Sequence, residues 1–347
     1  MKHRPLGNSG VAVPPLVFGT SCLGNLYEAL ALETKLAISR EWFNHVPGPV
    51  VLDTAGKYGA GLALEVLGAN LRQLGVQADS IIISNKLGWL RTPLVTPEPT
   101  FERGVWADLK NDAVQRVSYD GIMECWEQGC ELLGEPYRPQ LVSIHDPDEY
   151  LKVATSADDR RRRFDEIVEG YRALADLKRR GEVIAVGVGS KDWRVVREID
   201  AVASLDWVML ANSLTIYSHP AELLEFLATL VDRGVGVINS AVFNAGFLIG
   251  GRFFDYRELS RDNADHQPLF AWRERFLVLC REHEVAPAIA CVQFAMSPPG
   301  VVAVAMNTSK PGHVADNAAA VATMVPPEFW RAAKAAELIR HDYPYVG

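Results

Sequence analysis

The chain reads as a closed barrel of eight parallel β-strands, each followed by a helix. Three observations predict it: eight short apolar runs, amphipathic stretches between them, and polar residues that close three successive runs. The runs are LVFG (16–19), VVLD (50–53), IIISNK (81–86), LVSIH (141–145), VIAVGVG (183–189), WVMLA (207–211), GVGVINS (234–240) and VVAVAM (301–306). They are almost continuously apolar, which indicates strands buried on both faces, as parallel strands are.

The intervening stretches carry the helical period. Examples are EVLGANLRQLG, GIMECWEQGCELLG, FDEIVEGYRALADLKRRG and AELLEFLATLVDRG, each closing on a glycine suited to a helix C-terminus. Alternation of buried strands and helices leaves a doubly wound sheet or a barrel. A doubly wound dinucleotide domain requires G-x-G-x-x-G after a strand, and the nearest match, GVGSKD at 187–192, lacks the third glycine. Eight strands fit the barrel, as one domain over 1–347.

Residues 1–15, with Gly7-Asn8-Ser9-Gly10 between short apolar pieces, predict a hairpin on the barrel floor. Two segments break the repeat: 89–118, with Pro93, Pro97 and Pro99, and 243–268, with Gly246, Gly250 and Gly251. Both follow strands on the face where barrel loops carry function, so they are expected to shape the substrate pocket.

Of the 347 residues, 48% are hydrophobic and 22% charged, a globular balance that excludes a disordered chain. A formal net charge of -8 argues against a polyanionic partner such as nucleic acid. The basic run Arg160-Arg161-Arg162-Arg163 precedes Asp165, Glu166 and Glu169 and reads as the solvated start of a helix. Five cysteines (Cys22, Cys125, Cys130, Cys280, Cys291) form no CxxC pair and no zinc spacing, which fits a reducing cytoplasm. No signal core or long uncharged apolar stretch occurs, so a soluble, unexported protein without membrane partners is expected. Asp146 and Asp148, next to His145, read as helix-capping residues, and no metal is expected.

Asp53, Lys86 and His145 each close a buried strand, and Tyr58 follows in the loop after the first of them. Singly, each has an ordinary structural explanation as a cap, a snorkelling cation, a turn residue or a packed aromatic. In consecutive strand-helix units they converge on one barrel mouth. The chemistry that uses these four types is proton transfer coupled to hydride transfer. A phenol of ordinary pKa ~10 is a poor base near neutrality, and a neighbouring ammonium held by a carboxylate is expected to lower it. Tyr58 is then the acid/base, Lys86 and Asp53 tune it, and His145 positions the reacting oxygen. Lys57 is expected to face solvent, and Gly59 and Gly61 to let the loop turn into its helix.

These motifs, LDTAGKYG, ISNKLG and SIHDP, together with LVFGTSCLGN and SKPGHVADN, make the chain resemble the aldo-keto reductases over most of its length. The resemblance implies a nicotinamide cofactor bound without a Rossmann fold. It places Gly189 and Ser190 beside the nicotinamide, and Asn239-Ser240 where the family commonly stacks a tyrosine, with Phe243 a candidate substitute.

The segment 305–317 is similar to the family's adenosine-binding segment, which implies cofactor contacts from Asn307, Thr308, Ser309, Lys310, His313, Asp316 and Asn317. Backbone N–H groups at its helix start suit a phosphate. His313 stands where many NADPH-preferring members have arginine, so NAD is expected, with NADP kept open by Lys310.

GVGVINSAVFNAGFLIGG and SIHDPDEY are most similar to the branch oxidising free sugars at C1, the L-fucose and D-threo-aldose 1-dehydrogenases, with pyridoxal 4-dehydrogenase a relative in it. Trp89, Trp106, Phe243 and Phe247 are candidates to stack on the substrate. Two alternatives stand beside this reading: an NADPH-dependent aldehyde or ketone reductase, and a non-catalytic nicotinamide-binding sensor or channel-associated subunit.

Overall fold

The computed structural model describes residues 1–347. Eight parallel strands close into a barrel: β1 (Leu16–Gly19), β2 (Val50–Ala55), β3 (Ile81–Leu87), β4 (Leu141–His145), β5 (Ala185–Ser190), β6 (Trp207–Ala211), β7 (Gly236–Ser240) and β8 (Val301–Met306). Each strand pairs with its sequence neighbour, and β8 closes on β1 through Ala305 and Val17. All eight apolar runs are strands. The runs at 183 and 234 begin two residues ahead of their strands, since ladder pairing starts at Ala185 and Gly236.

The four helices read from the sequence are present at Leu62–Gln73, Tyr119–Leu133, Ala157–Arg179 and Ala221–Asp232. Gly75, Gly134, Gly181 and Gly234 end them with positive φ, a conformation that stops the helix without Cβ strain. The arginine run lies in the first turns of Ala157–Arg179, where Ser156 Oγ accepts from Asp159 N–H. Arg160 pairs with Glu198, Arg162 with Asp159 and Glu166, and Arg163 with Asp159, so three of the four arginines are ion-paired on the surface.

The period of two along each strand sorts side chains into two layers. Outward residues such as Leu52, Ile83, Val142 and Val188 pack under the helices. Inward residues Val17, Val51, Leu141, Ala185, Trp207, Met209, Ile238 and Ala303 fill the barrel. Below them, Arg4–Pro5 pairs antiparallel with Ala12–Val13, and Leu6, Val11 and Val13 join the inner cluster. That N-terminal hairpin plugs the floor: Asn8 N–H donates to Gly234 O at 2.7 Å, and a Cβ on Gly7 would lie 2.2 Å from the same oxygen. No helix is long and apolar enough to cross a membrane.

Candidate active site

The inward stripe of three strands changes from apolar to polar as it climbs. On β2 it runs Val51 then Asp53, on β3 Ile82, Ser84, Lys86, and on β4 Leu141, Ser143, His145. Registers Asp53 with Ser84, Lys86 with Ser143 and His145 with Gly189 bring these ends to one level. Tyr58 enters from the β2 loop, which turns through Gly59 and Gly61, at φ 61° and 82°, into the helix at Leu62.

All four residues line one cavity of about 600 Å³ at the carboxyl end of the barrel. Lys86 Nζ bonds Asp53 Oδ2, and Ser84 Oγ donates to Asp53 Oδ1 at 3.1 Å. The same ammonium lies 4.8 Å from the centre of the Tyr58 ring. The Tyr58 and His145 rings meet edge to face with centres 5.6 Å apart. Gly189 has a steric role as well as its place in the cavity wall: a Cβ there would lie 2.8 Å from Lys86 Cδ, so glycine makes room for the lysine stem.

Electrostatics differ from the sequence expectation. The Tyr58 phenol is pushed well above its ordinary value, first by burial and then by the negative charges of Asp53 and Asp146, against which Lys57 acts weakly. Lys86 is occupied by Asp53 and does not deliver a lowered phenol. His145 is held well below its ordinary value, chiefly by burial, against the raising effect of Asp146 and with Lys86, Lys57 and Lys191 adding to the depression. Its imidazole is neutral at physiological pH, with Nε2 3.6 Å from Asp146 Oδ2 and Nδ1 without a partner.

Lys57 is the clearest correction. It is buried, not solvent-facing, and its ammonium lies 2.7 Å from each of Glu102 Oε1, Asp146 Oδ2 and Glu149 Oε2. Burial favours its neutral form, but the three carboxylates reverse that and raise its pKa. Asp146 is correspondingly no side-chain cap: it begins the short helix Pro147–Lys152 at φ 50° and its carboxylate bonds Lys57. Asp148 accepts from Ser190 Oγ at 2.6 Å. Glu102, Glu149, Lys191, Tyr27 and Tyr256 carry no motif and were not legible as members of this site. What marks Glu149 and Lys191 is position alone, just beyond the ends of β4 and β5.

Along the arc formed by β7, β8 and β1, the cavity is lined by Ser240, Phe243, Asn307, Thr308, Ser309, His313, Asp316 and Asn317. No side chain caps the helix Gly312–Ala322, whose first turn carries His313. An uncapped helix start beside uncharged donors suits the phosphates of a dinucleotide, so these residues fit a nicotinamide cofactor. Gly189 and Ser190 line the opposite wall.

Four expected contacts are absent from the cavity. Asn239 points outward from β7, where its amide donates to Leu214 O and Ala295 O at 2.8 and 3.2 Å; the inward neighbour Ser240 takes the cavity position. Phe247 is fully buried against Phe254 and Phe270, in the outer core. Trp89 packs on Phe101 behind Lys57, and the Lys310 side chain lies outside the lining. Trp106 does line the cavity, 5.8 Å from Tyr58 between ring centres, with its Nε1–H donating to Glu102.

Residues 15–337 match the Aldo/keto reductase family. The chain is 27% identical to the pyridoxal 4-dehydrogenase of Microbacterium luteolum, covering 97% of this chain and 98% of that protein. It is 29% identical to the D-threo-aldose 1-dehydrogenase of a Pseudomonas species, covering 95% and 96%. Two solved structures share the fold. An aldo-keto reductase of Bacillus halodurans superposes with a TM-score of 0.68 at 21% identity, over 98% of this chain and 97% of that one. The glycerol dehydrogenase of Gluconobacter oxydans superposes at 0.69 and 16%, over 99% and 96%. With its barrel and a family match over nearly its whole length, the chain belongs to the aldo/keto reductase family, whose enzymes are oxidoreductases using nicotinamide cofactors.

Proposed function

We propose that the protein is an NAD-dependent dehydrogenase of free aldoses, such as L-fucose or a D-threo-aldose, oxidising C1 to the lactone in the cytoplasm. The observation that carries the catalytic part is the meeting of Tyr58, Lys86, Asp53 and His145 at one cavity. The kinship with a D-threo-aldose 1-dehydrogenase supports the substrate class.

A nicotinamide held along the β7–β8–β1 arc would supply the hydride acceptor for oxidation of C1 and the hydride donor for reduction. The protein moves the proton. In oxidation Tyr58 acts from its ionised form: the phenolate Oη takes the proton of the anomeric hydroxyl and becomes phenol, and in reduction the phenol gives that proton back. Lys86, fixed by Asp53, stands 4.8 Å from the centre of the Tyr58 ring, where its charge offsets part of the cost of the phenolate without bringing the phenol below its ordinary value. His145, neutral, orients the reacting oxygen by a hydrogen bond without carrying charge to it.

For the cofactor, the residues assigned to its adenosine end favour NAD. Asp316 and His313 line that part of the cavity, no arginine does, and Lys310 lies outside it. A carboxylate suits a ribose hydroxyl and opposes a 2′-phosphate. The 27% identity to a pyridoxal 4-dehydrogenase favours a second reading, in which pyridoxal is the substrate of the same groups.

The test is initial-rate oxidation of L-fucose, D-arabinose, L-galactose and pyridoxal with NAD and, separately, NADP. Turnover of a sugar with NAD supports the proposal, and preference for pyridoxal moves the substrate to the second reading. NADPH-dependent reduction of simple aldehydes without oxidation of any of the four overturns substrate and cofactor together. Tight cofactor binding without turnover of a broad panel points to a sensor.

A further inference from the structure

Beside the four residues given proton chemistry, the cavity wall contains a second charged group that this chemistry does not use. Lys57, Glu102, Asp146 and Lys191 line the cavity, Glu149 pairs with the two lysines just outside the lining, and all come from the loops after β2, β3, β4 and β5, across the mouth from the segment after β8. Lys57 joins three of the carboxylates, and Lys191 bonds Glu149, lies 4.0 Å from Asp146 and stands 5.1 Å from the centre of the Tyr256 ring. Two ammonium groups against three carboxylates, Glu149 counted with them, leave this cluster with one net negative charge.

No cation in this cavity is free. Lys57 and Lys191 are paired within the wall, Lys86 is paired with Asp53, and no arginine lines the space. An anionic substituent reaching this wall must displace a buried carboxylate from its lysine or stay unpaired, and both are costly. A hydroxyl has partners. Tyr27 Oη is buried in the lining without one, and Glu102, a quarter exposed, presents a carboxylate shared between Lys57 and Trp106.

We propose that this wall selects uncharged, hydroxyl-bearing substrates over their phosphorylated or carboxylated counterparts, with Glu102 as the residue setting the discrimination. The proposal rests on the preceding reading only in taking the cavity beside Tyr58 as the substrate site; it does not require C1 oxidation. One unit charge about 6 Å from another of like sign weakens binding about a hundredfold at an effective dielectric near 20.

The experiment compares matched pairs: D-arabinose with its 5-phosphate in oxidation, and D-glyceraldehyde with its 3-phosphate in reduction. Binding of glycerol and glycerol 3-phosphate to the cofactor-loaded protein is followed in parallel by tryptophan fluorescence. The neutral member of each pair is expected to win by roughly a hundredfold in kcat/KM or affinity, and Glu102→Gln to shrink that ratio about tenfold. Strong discrimination in the glyceraldehyde pair with no oxidation of arabinose sinks the sugar reading and keeps this one. Pairs equal within about threefold, in turnover or, where nothing turns over, in binding, overturn it. So does a ratio that Glu102→Gln leaves unmoved, since a merely structural Glu102 would change both members alike.

Discussion

Replacing Lys57 with methionine removes an ammonium that three carboxylates share and leaves a stem of similar size. Each contact is 2.7 Å long, worth about 6 kcal/mol before desolvation at an effective dielectric near 20. Desolvation of Lys57 offsets much of that, and Glu102 and Glu149 are exposed enough for water to screen them. Asp146 is different, with a side chain only 6% exposed. Breaking a buried pair from one side costs about 3–5 kcal/mol, and that range applies to the variant at pH 7. With ~2.1 cal/mol/K of unfolding entropy per residue, 347 residues give about 0.7 kcal/mol/K, so the melting temperature drops by roughly 4–7 °C.

The loss has a predicted pH course. In the native protein Asp146 is held below its ordinary value: burial works against this, but the imidazolium form of His145, Lys57 and Lys191 overcome it. A carboxyl depressed in the folded state stabilises above its unfolded pKa of about 3.9 and ceases to as pH falls through its folded pKa. Lys57 is raised, so its own contribution is complete below an unfolded pKa of about 10.4 and fades only as pH rises beyond it. The gap between wild type and Lys57→Met is therefore flat from about pH 6 to 10 and narrows only below about pH 4, as pH falls towards the depressed folded pKa of Asp146. Urea unfolding followed by circular dichroism at about pH 7 and about pH 3 measures both. A gap under about 1 kcal/mol at pH 7, or one unchanged at about pH 3, would refute the reasoning that Lys57 offsets a buried negative cluster.

Tyr58→Phe is expected to lower turnover by about a thousandfold, within the range for general acid-base groups, while cofactor affinity measured by fluorescence changes less than about threefold. Retention of more than a few percent of activity removes Tyr58 from its role. Because the phenol is raised and His145 stays neutral, oxidation should quicken steadily from pH 7 through pH 9, with no ionisation near 6.5 from the imidazole. An oxidation optimum below pH 7 contradicts this. Gly189→Ala should push Lys86 from its place and cost at least tenfold in kcat with the circular dichroism spectrum unchanged, since the added Cβ meets Lys86 Cδ at 2.8 Å. Activity within twofold of wild type would show that the lysine can move without consequence.

The barrel was legible because parallel strands bury both faces, so each strand is a run rather than an alternation. The tetrad was legible for a related reason: Asp53, Lys86 and His145 interrupt those runs where only a cavity could accept them. Lys57 was not, because the partners that bury it, Asp146 and Glu149, lie 89 and 92 residues further along the chain. Asn239 was misplaced by one residue of strand parity, which turns a side chain from the barrel mouth to the helix layer. Phe247 was misplaced because its loop coils into a short helical turn, Phe247–Ile249, that faces the core. The elevated Tyr58 follows first from its burial and then from Asp53 and Asp146 facing it, and neither the burial nor the approach of Asp146 is visible in LDTAGKYG.

The loop after β1 joins the two halves of the mouth. Gly24 packs so tightly on the Tyr58 segment that a Cβ would lie 2.7 Å from Tyr58 backbone atoms, and Cys22 N–H donates to Asn307 Oδ1 at 3.4 Å. Asn307 lies at the end of β8, beside the segment assigned to the adenosine end, so the residues assigned to cofactor and to proton transfer share one short support, Ser21–Gly24. That support is a 3-10 turn with three buried residues, Cys22, Leu23 and Gly24. The barrel achieves this sharing because β1 lies between β8 and β2: adjacency in the sheet places the two chemistries one strand apart.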